Sequence, residues 1–280
     1  MLVVLFKLRV VSLLLLSAIA GAFLGARGWP GWGNFGLITL TGFLTASGAS
    51  AFNQYWEREK DRLMKRTQNR PLATGQIKNP SWVLAISLLL IFAPSLAVWP
   101  IRPALAIYLL VGAFIYTAIY TVWLKPLTLL NIVIGGAAGS AAVISGGAVV
   151  EAHHDPAVLA LAAMLFVWTP AHFWSLAILC KDDYMRSDTP MLPARTSLRA
   201  AAWWVFAHTL PTVLGALILG VVPELGWLYL LPVMGMSILL LYYNMRLIRN
   251  PVPTRAKGLF LQSNFYLMVV LLGIIGACLI

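Results

Sequence analysis

The chain has 280 residues, 60% of them hydrophobic and only 10% charged, with twenty Lys and Arg against nine Asp and Glu. A soluble domain carries about 25% charged residues, so this composition excludes a water-soluble globular fold. The net charge of +11 would suit nucleic acid, but its placement in short segments between apolar runs excludes that partner too.

Cutting the chain at its charges leaves nine uncharged runs of at least 17 residues: 10–26, 28–56, 79–101, 103–124, 126–150, 156–180, 200–223, 225–245 and 258–280. About 20 apolar residues span a bilayer, so the sequence predicts an all-α fold of nine transmembrane helices. Almost no chain is left over, and residues 1–280 read as a single membrane-embedded domain. With the N-terminus inside, eighteen basic residues fall on the inner side and only Arg27 and Arg102 outside, which predicts an N-in/C-out bundle. Cys180 and Cys278 are far apart and form neither a CxxC nor a metal spacing. The first apolar run lacks an A-x-A cleavage pattern and an Arg/Ser-rich leader, and reads as a retained helix in a bacterial inner membrane.

Helix 1 is expected from Val10 to about Ala26, after Lys7-Leu8-Arg9, and Gly28 to Phe35 as a short outer turn. Helix 2 runs from about Gly36 into the stretch Asn53 to Gly75, which holds nine of the 29 charged residues. Its small residues from Ala46 to Ala51 suit the close approach of a neighbouring helix. Asn53, Glu57 and Asp61 stand at i, i+4 and i+8; each step advances about 6 Å and turns about 40°, so three oxygen ligands line one helix face. Such a face suits a hard cation like Mg²⁺. Arg58, Lys60, Arg62, Lys65, Arg66 and Arg70 surround it, and cations beside metal ligands suit a polyanion such as diphosphate. From charge alone, the same loop serves equally as a solvated cap that fixes topology.

Helix 3 is expected over Ser81–Val98, an outer turn over Trp99–Pro103, and helix 4 from Ala104 to Val122. Lys125 follows at an inner helix end, where a lysine either snorkels or faces an anion. Helix 5, in the run 126–150, carries the glycines from Gly135 to Gly147. The outer pair His153-His154 reads as solvent-facing or metal-binding, on the face opposite the other chemistry. Helix 6 ends in Trp168-Thr-Pro170-Ala-His172-Phe-Trp174 and runs on to Lys181, Asp182, Asp183 and Asp188. His172 is an intramembrane ionisable residue, a candidate for function or for a bond to a neighbouring helix. Helices 7 to 9 carry no comparable group, though the loop from Arg246 to Lys257 adds four basic residues.

N-x-x-x-E-x-x-x-D followed by M-K-R-T-x-N-R-P-L-x-x-G-x-I resembles the first motif of the UbiA superfamily of intramembrane prenyltransferases. The opening K-L-R-V-V-S-L-L-L is similar to the family's K-P-R-V-x-S-L-L, with Leu8 in place of the proline. L-K-x-x-T-x-x-N, from Leu124 to Asn131, resembles the family's third element, in which the lysine faces diphosphate. W-T-P-A-H-F-W with K-D-D-Y resembles the signature of the protohaem IX farnesyltransferase (haem O synthase) branch. The chain departs from that branch at Ala142-Val143, near its usual Pro-Pro pair, and at Ser187-Asp188-Thr189, its usual A-G-I.

The resemblance implies transfer of farnesyl from farnesyl diphosphate to a vinyl group of haem B, with water added, at a site between helices 2 and 6 on the cytoplasmic face. By that likeness Asn53, Glu57, Asp61 and Asp183 would hold Mg²⁺, with Asp182 as a further candidate ligand and Asp188 as either a further ligand or, the favoured reading, a loop charge. Arg66, Arg70, Lys125 and Lys181 would hold the diphosphate, and His172 would serve the haem acceptor, an imidazole being a ready axial ligand. Haem A synthase and terminal-oxidase assembly factors are the protein partners it suggests, besides the lipid bilayer. Two other readings compete. The same fold with a phenolic, quinone-precursor or chlorin acceptor is favoured by the missing Pro-Pro pair and opposed by the K-D-D-Y segment. A transporter would need charges near mid-membrane in several helices, and here only His172 qualifies.

Overall fold

In lipid no water pairs the backbone, so every crossing segment must satisfy its own N–H and C=O groups. The computed structural model, which describes residues 2–280, does so with helices and, among the described residues, no strand. In chain order these are α1 (Leu2–Leu5), α2 (Leu8–Ala26), α3 (Trp32–Leu63), α4 (Ser81–Val98) and α5 (Pro103–Phe114), which widens into a π-helical segment (Ile115–Leu124). Then come α6 (Asn131–Gly135), α7 (Ala137–Val149), α8 (Pro156–Leu179), the short α9 (Lys181–Arg186) and α10 (Leu192–Arg195), α11 (Leu198–Leu219), α12 (Gly226–Arg249) and α13 (Pro253–Cys278). Nine stretches among the described residues are long and apolar enough to cross a membrane, as expected.

Ion pairs mark the two ends of the bundle. At one end Arg27 bridges Asp155 at 2.8 Å and Glu224 at 3.2 Å, while Arg102 meets Glu151 at 2.9 Å. Asp155 also caps α8, accepting from the backbone N–H groups of Ala157 and Val158, so one carboxylate serves a helix start and a loop tie. The opposite end carries the Asn53 motif.

Glycines set the closest crossings. A Cβ at Gly146 would overlap the Ala18 carbonyl, and one at Gly21 the Val143 carbonyl, so α2 and α7 pack backbone to backbone. A Cβ at Gly48 would lie 2.6 Å from the Ser87 carbonyl oxygen, which gives the small residues of α3 their role against α4. Gly146→Val should therefore push α2 from α7 and cost about 1–3 kcal/mol, read as a lowered unfolding temperature in detergent. An unchanged transition would show that the crossing tolerates the side chain.

Three boundaries differ from expectation. α3 starts at Trp32, inside the expected outer turn, because Gly31 at φ 82° completes the reversal and Trp29 packs on Trp32 and Phe35 at 4.7 and 5.3 Å. The fifth crossing is helical only from Asn131, whose amide nitrogen donates to the Pro190 carbonyl at 3.1 Å, and it breaks at Gly136. There a Cβ would come within 3.1 Å of the Phe166 carbonyl oxygen, the group that Pro170 leaves without its helical donor. The fourth crossing ends as a π-helix, in which the Lys125 N–H donates to the Tyr120 carbonyl at 2.9 Å.

Length places the motif. The 32 residues of α3 make a rod of about 48 Å, against a hydrocarbon core of about 30 Å. About 20 residues from Trp32 use up that thickness at Phe52, so Asn53, Glu57 and Asp61 fall at the interface. Trp56, 51% exposed and stacked on Phe52, is an interfacial anchor at the same level.

Candidate functional site

The last three turns of α3 turn Asn53, Glu57 and Asp61 inward, where they are only 2%, 8% and 4% exposed. Buried acids are costly unless paired, and each of the three side chains here holds a cation from a different part of the chain. Lys125 Nζ lies 2.5 Å from Glu57 Oε1, and Arg70 donates to Asp61 Oδ2 at 2.7 Å. Lys7 Nζ donates to Asn53 Oδ1 at 2.5 Å, while the Asn53 amide nitrogen donates to Thr121 Oγ1 at 3.1 Å. Arg70 and Lys125 thus both reach the α3 face. Lys7 had no assigned role; only the likeness of its K-L-R-V segment to the family's opening pointed to it.

Tyr116 and Tyr120, stacked at 5.8 Å, are carried to this cluster by the π-helical segment. The Tyr116 hydroxyl lies 3.3 Å from Lys7 Nζ, and the Tyr120 ring 5.6 Å from Lys125 Nζ. Burial, with the Arg70 guanidinium next, pushes the Lys7 ammonium down to about 7. Burial would also lower Lys125, but the Glu57 carboxylate outweighs it and holds that ammonium above its usual range.

Asp183, buried at the start of α9, accepts from the backbone N–H groups of Lys65 and Arg66 at 3.0 and 3.1 Å and from Arg186 at 2.5 Å. It therefore joins the loop after α3 to the segment after α8. Arg66 follows Lys65 in that loop, where its backbone N–H is held by Asp183. Asp182 is exposed beside it, on an open cavity of about 330 Å³ shared with Lys65, Met185 and Arg186. Lys181, half-buried at the N-terminus of α9, makes no ion pair among the described residues. Asp188 is exposed, at φ 46°, and pairs with Arg195 at 2.5 Å: it is a loop charge and is not brought to the buried face. Among the described residues no three His, Cys, Asp or Glu side chains gather closely enough to share an ion. The three α3 oxygens nevertheless form a pre-shaped, oxygen-only cation face, already occupied by the chain's own cations, and this donor set fits a magnesium ion.

His172 lies apart from this cluster. Its ring is sandwiched between Trp168 at 4.3 Å and Phe260 at 4.6 Å, and Nδ1 meets Ser263 Oγ at 2.8 Å. Trp168 Nε1 donates to the Ser263 carbonyl at 3.1 Å, so α8 and α13 interlock around the imidazole. The expected bond to a neighbouring helix is present, and it leaves Nε2 as the ring's remaining polar atom. His153 and His154 lie with their ring centroids 4.1 Å apart and tilted by 47° at the Arg27 end, remote from the site.

The profile of the UbiA prenyltransferase family matches residues 14–270. The chain belongs to that family. This UbiA member is 40% identical over 274 residues to Protoheme IX farnesyltransferase 2 of Paramagnetospirillum magneticum, covering 96% of this chain and 93% of that protein. It is 37% identical over 264 residues to Protoheme IX farnesyltransferase of Thermus thermophilus, a longer protein of which the chain spans 43%. Its fold matches that of digeranylgeranylglyceryl phosphate synthase with a TM-score of 0.80 at 16% identity, covering 99% of this chain and 97% of that one. A UbiA homolog from Archaeoglobus fulgidus, bound to DMAPP and Mg²⁺, matches with a TM-score of 0.66 at 13% identity over 98% of this chain and 99% of that one. This UbiA member is thus an integral membrane prenyltransferase, all-helical with nine candidate spans.

Proposed function

We propose that the protein is a haem O synthase, transferring farnesyl from farnesyl diphosphate to a vinyl group of protohaem IX. The observation that carries this reading is the buried Asn53–Glu57–Asp61 face with a cation on each side chain. The names of the relatives above, at up to 40% identity over most of the chain, support the acceptor. Asn53, Glu57, Asp61 and Asp183 would hold Mg²⁺, whose charge stabilises the leaving diphosphate. Arg66, Arg70 and Lys125 would grip the diphosphate oxygens, with Lys181 at the rim.

In the reaction the farnesyl C1–O bond breaks and its electron pair leaves with diphosphate. Fixed cations aimed at that group stabilise the charge more as it develops than in the ground state. The vinyl terminus bonds to C1. The cation left beside the macrocycle takes the oxygen of water, which loses a proton to solvent, giving a hydroxyethylfarnesyl chain. The apolar bundle sheathes the isoprenoid and excludes water until capture. His172 would orient the macrocycle through Nε2.

The reading places the protein in a bacterial inner membrane with its site on the cytoplasmic face, handing product to haem A synthase or terminal-oxidase assembly factors. Mass spectrometry of haem from membranes expressing the protein should show haem B heavier by one farnesyl group plus one hydroxyl group. Unmodified haem beside a prenylated phenol or quinone precursor would transfer the reading to another acceptor. Topology is tested separately: a reporter after Ile280 should be active outside and one near Gly75 inside. Finding both on one side would remove a crossing.

A further inference from the structure

The N-terminal segment is fastened to α3 by two consecutive residues. Gln54, fully buried, donates its side-chain amide to the Val4 carbonyl at 2.6 Å and the Leu5 carbonyl at 2.8 Å. Leu5 is itself fully buried, in an apolar cluster with Ala51, Leu72, Ile77 and Val83. The chain then turns through Lys7 at φ 47°, a left-handed conformation that an L-residue keeps only where its surroundings hold it. This turn separates α1 from α2 and sends the Lys7 side chain to Asn53, the residue beside Gln54.

Lys7 Nζ sits on the one ligand of the acidic face that bears no charge. An ammonium has no lone pair and is repelled by a metal ion, so the two cannot share Asn53 Oδ1. A metal arriving there brings the anion that a displaced ammonium needs, and the lysine stem is long and flexible enough to follow. We propose that residues 2–7 form a strap that delivers Lys7 as a further diphosphate-binding residue. Lys7 exchanges Asn53 for a diphosphate oxygen when the face is filled, and Gln54 is the positioning residue that seats the strap. This rests on the reading of the α3 face as a metal–diphosphate site.

The test uses the full-length protein in detergent with magnesium and inorganic pyrophosphate as the probe, followed by calorimetry, so that turnover is not needed. Lys7→Met should weaken pyrophosphate binding about tenfold, and Lys7→Arg should keep most of it. Gln54→Leu, which keeps the Lys7 side chain but unseats the strap, should weaken binding in the same direction. The double variant Gln54→Leu/Lys7→Met should bind no worse than Lys7→Met alone, because both changes act through one ammonium. Each variant is checked for an unchanged elution profile and unfolding transition. Binding by folded Lys7→Met equal to that of the parent overturns the role of Lys7. Fully additive losses overturn the strap as its positioning device. If the parent itself fails to bind magnesium pyrophosphate, the metal–diphosphate reading has failed, and that result is distinct from either.

Discussion

Glu57→Gln and Asp61→Asn should each lower prenyl transfer by about 10²-fold or more, the scale on which loss of a preorganised contact to developing charge is felt. Each carboxylate is also half of a buried ion pair, with Lys125 or Arg70. Removing one partner of such a pair strands the other's charge, at a cost of about 3–5 kcal/mol. Activity and stability would therefore fall together, and the single variants alone would not separate them. The double variant Glu57→Gln/Lys125→Met does, because with both charges gone the fold should recover while transfer stays low. Farnesyl transfer in membranes at matched protein levels reads the first quantity, and the unfolding temperature in detergent the second. Near-normal turnover in both single variants would sink the assignment of this face to metal and diphosphate.

His172→Phe should raise the haem KM about tenfold or lower turnover, leaving the KM for farnesyl diphosphate nearly unchanged. That split is expected where a side chain touches one of two substrates and not the other. Phenylalanine is the informative replacement because it keeps the stack between Trp168 and Phe260 and removes only the ring nitrogens. His172→Ala would open a gap between α8 and α13 and mix a packing defect into the result. Ser263→Ala, which frees Nδ1 without touching Nε2, should show a weaker version of the same split. Steady-state kinetics with each substrate varied in turn decides it. A raised farnesyl diphosphate KM with haem parameters intact would mean that His172 serves the other substrate.

What was legible in the sequence is what depends on short-range spacing. The i, i+4, i+8 oxygens of α3 share a face whatever surrounds them, and uncharged runs of bilayer length must become helices. Arg70 lies nine residues beyond Asp61 along an irregular loop, and it still reaches its partner. The partners of Asp183 were not legible, because two of the three are backbone N–H groups of the loop after α3, which almost any residue could supply. The π-helical register that brings Tyr116 and Tyr120 to Lys7 and Lys125 leaves no compositional trace either. Lys7 reads as an ordinary inner-face charge until the buried Gln54 draws the N-terminus across α3. Asp188 left two readings open, ligand or loop charge, because an acid inside a motif suits both, and its exposed pairing with Arg195 favours the loop charge.

The overhang of α3 has a consequence for traffic. If the proposed reading holds, the part of α3 that exceeds the hydrocarbon thickness lets ions reach the carboxylates from water without crossing lipid, while a fifteen-carbon tail would come in sideways from the bilayer. The two routes meet at a right angle, and the diphosphate is the only part of the prenyl donor that belongs to the aqueous one. On the proposed reaction, once its bond to C1 is cut the isoprenoid no longer carries the diphosphate, and only the propionates of the macrocycle remain as its polar anchor. On that reading the alkylated macrocycle would partition toward lipid, and an enzyme acting on it next would meet it by lateral diffusion within the membrane.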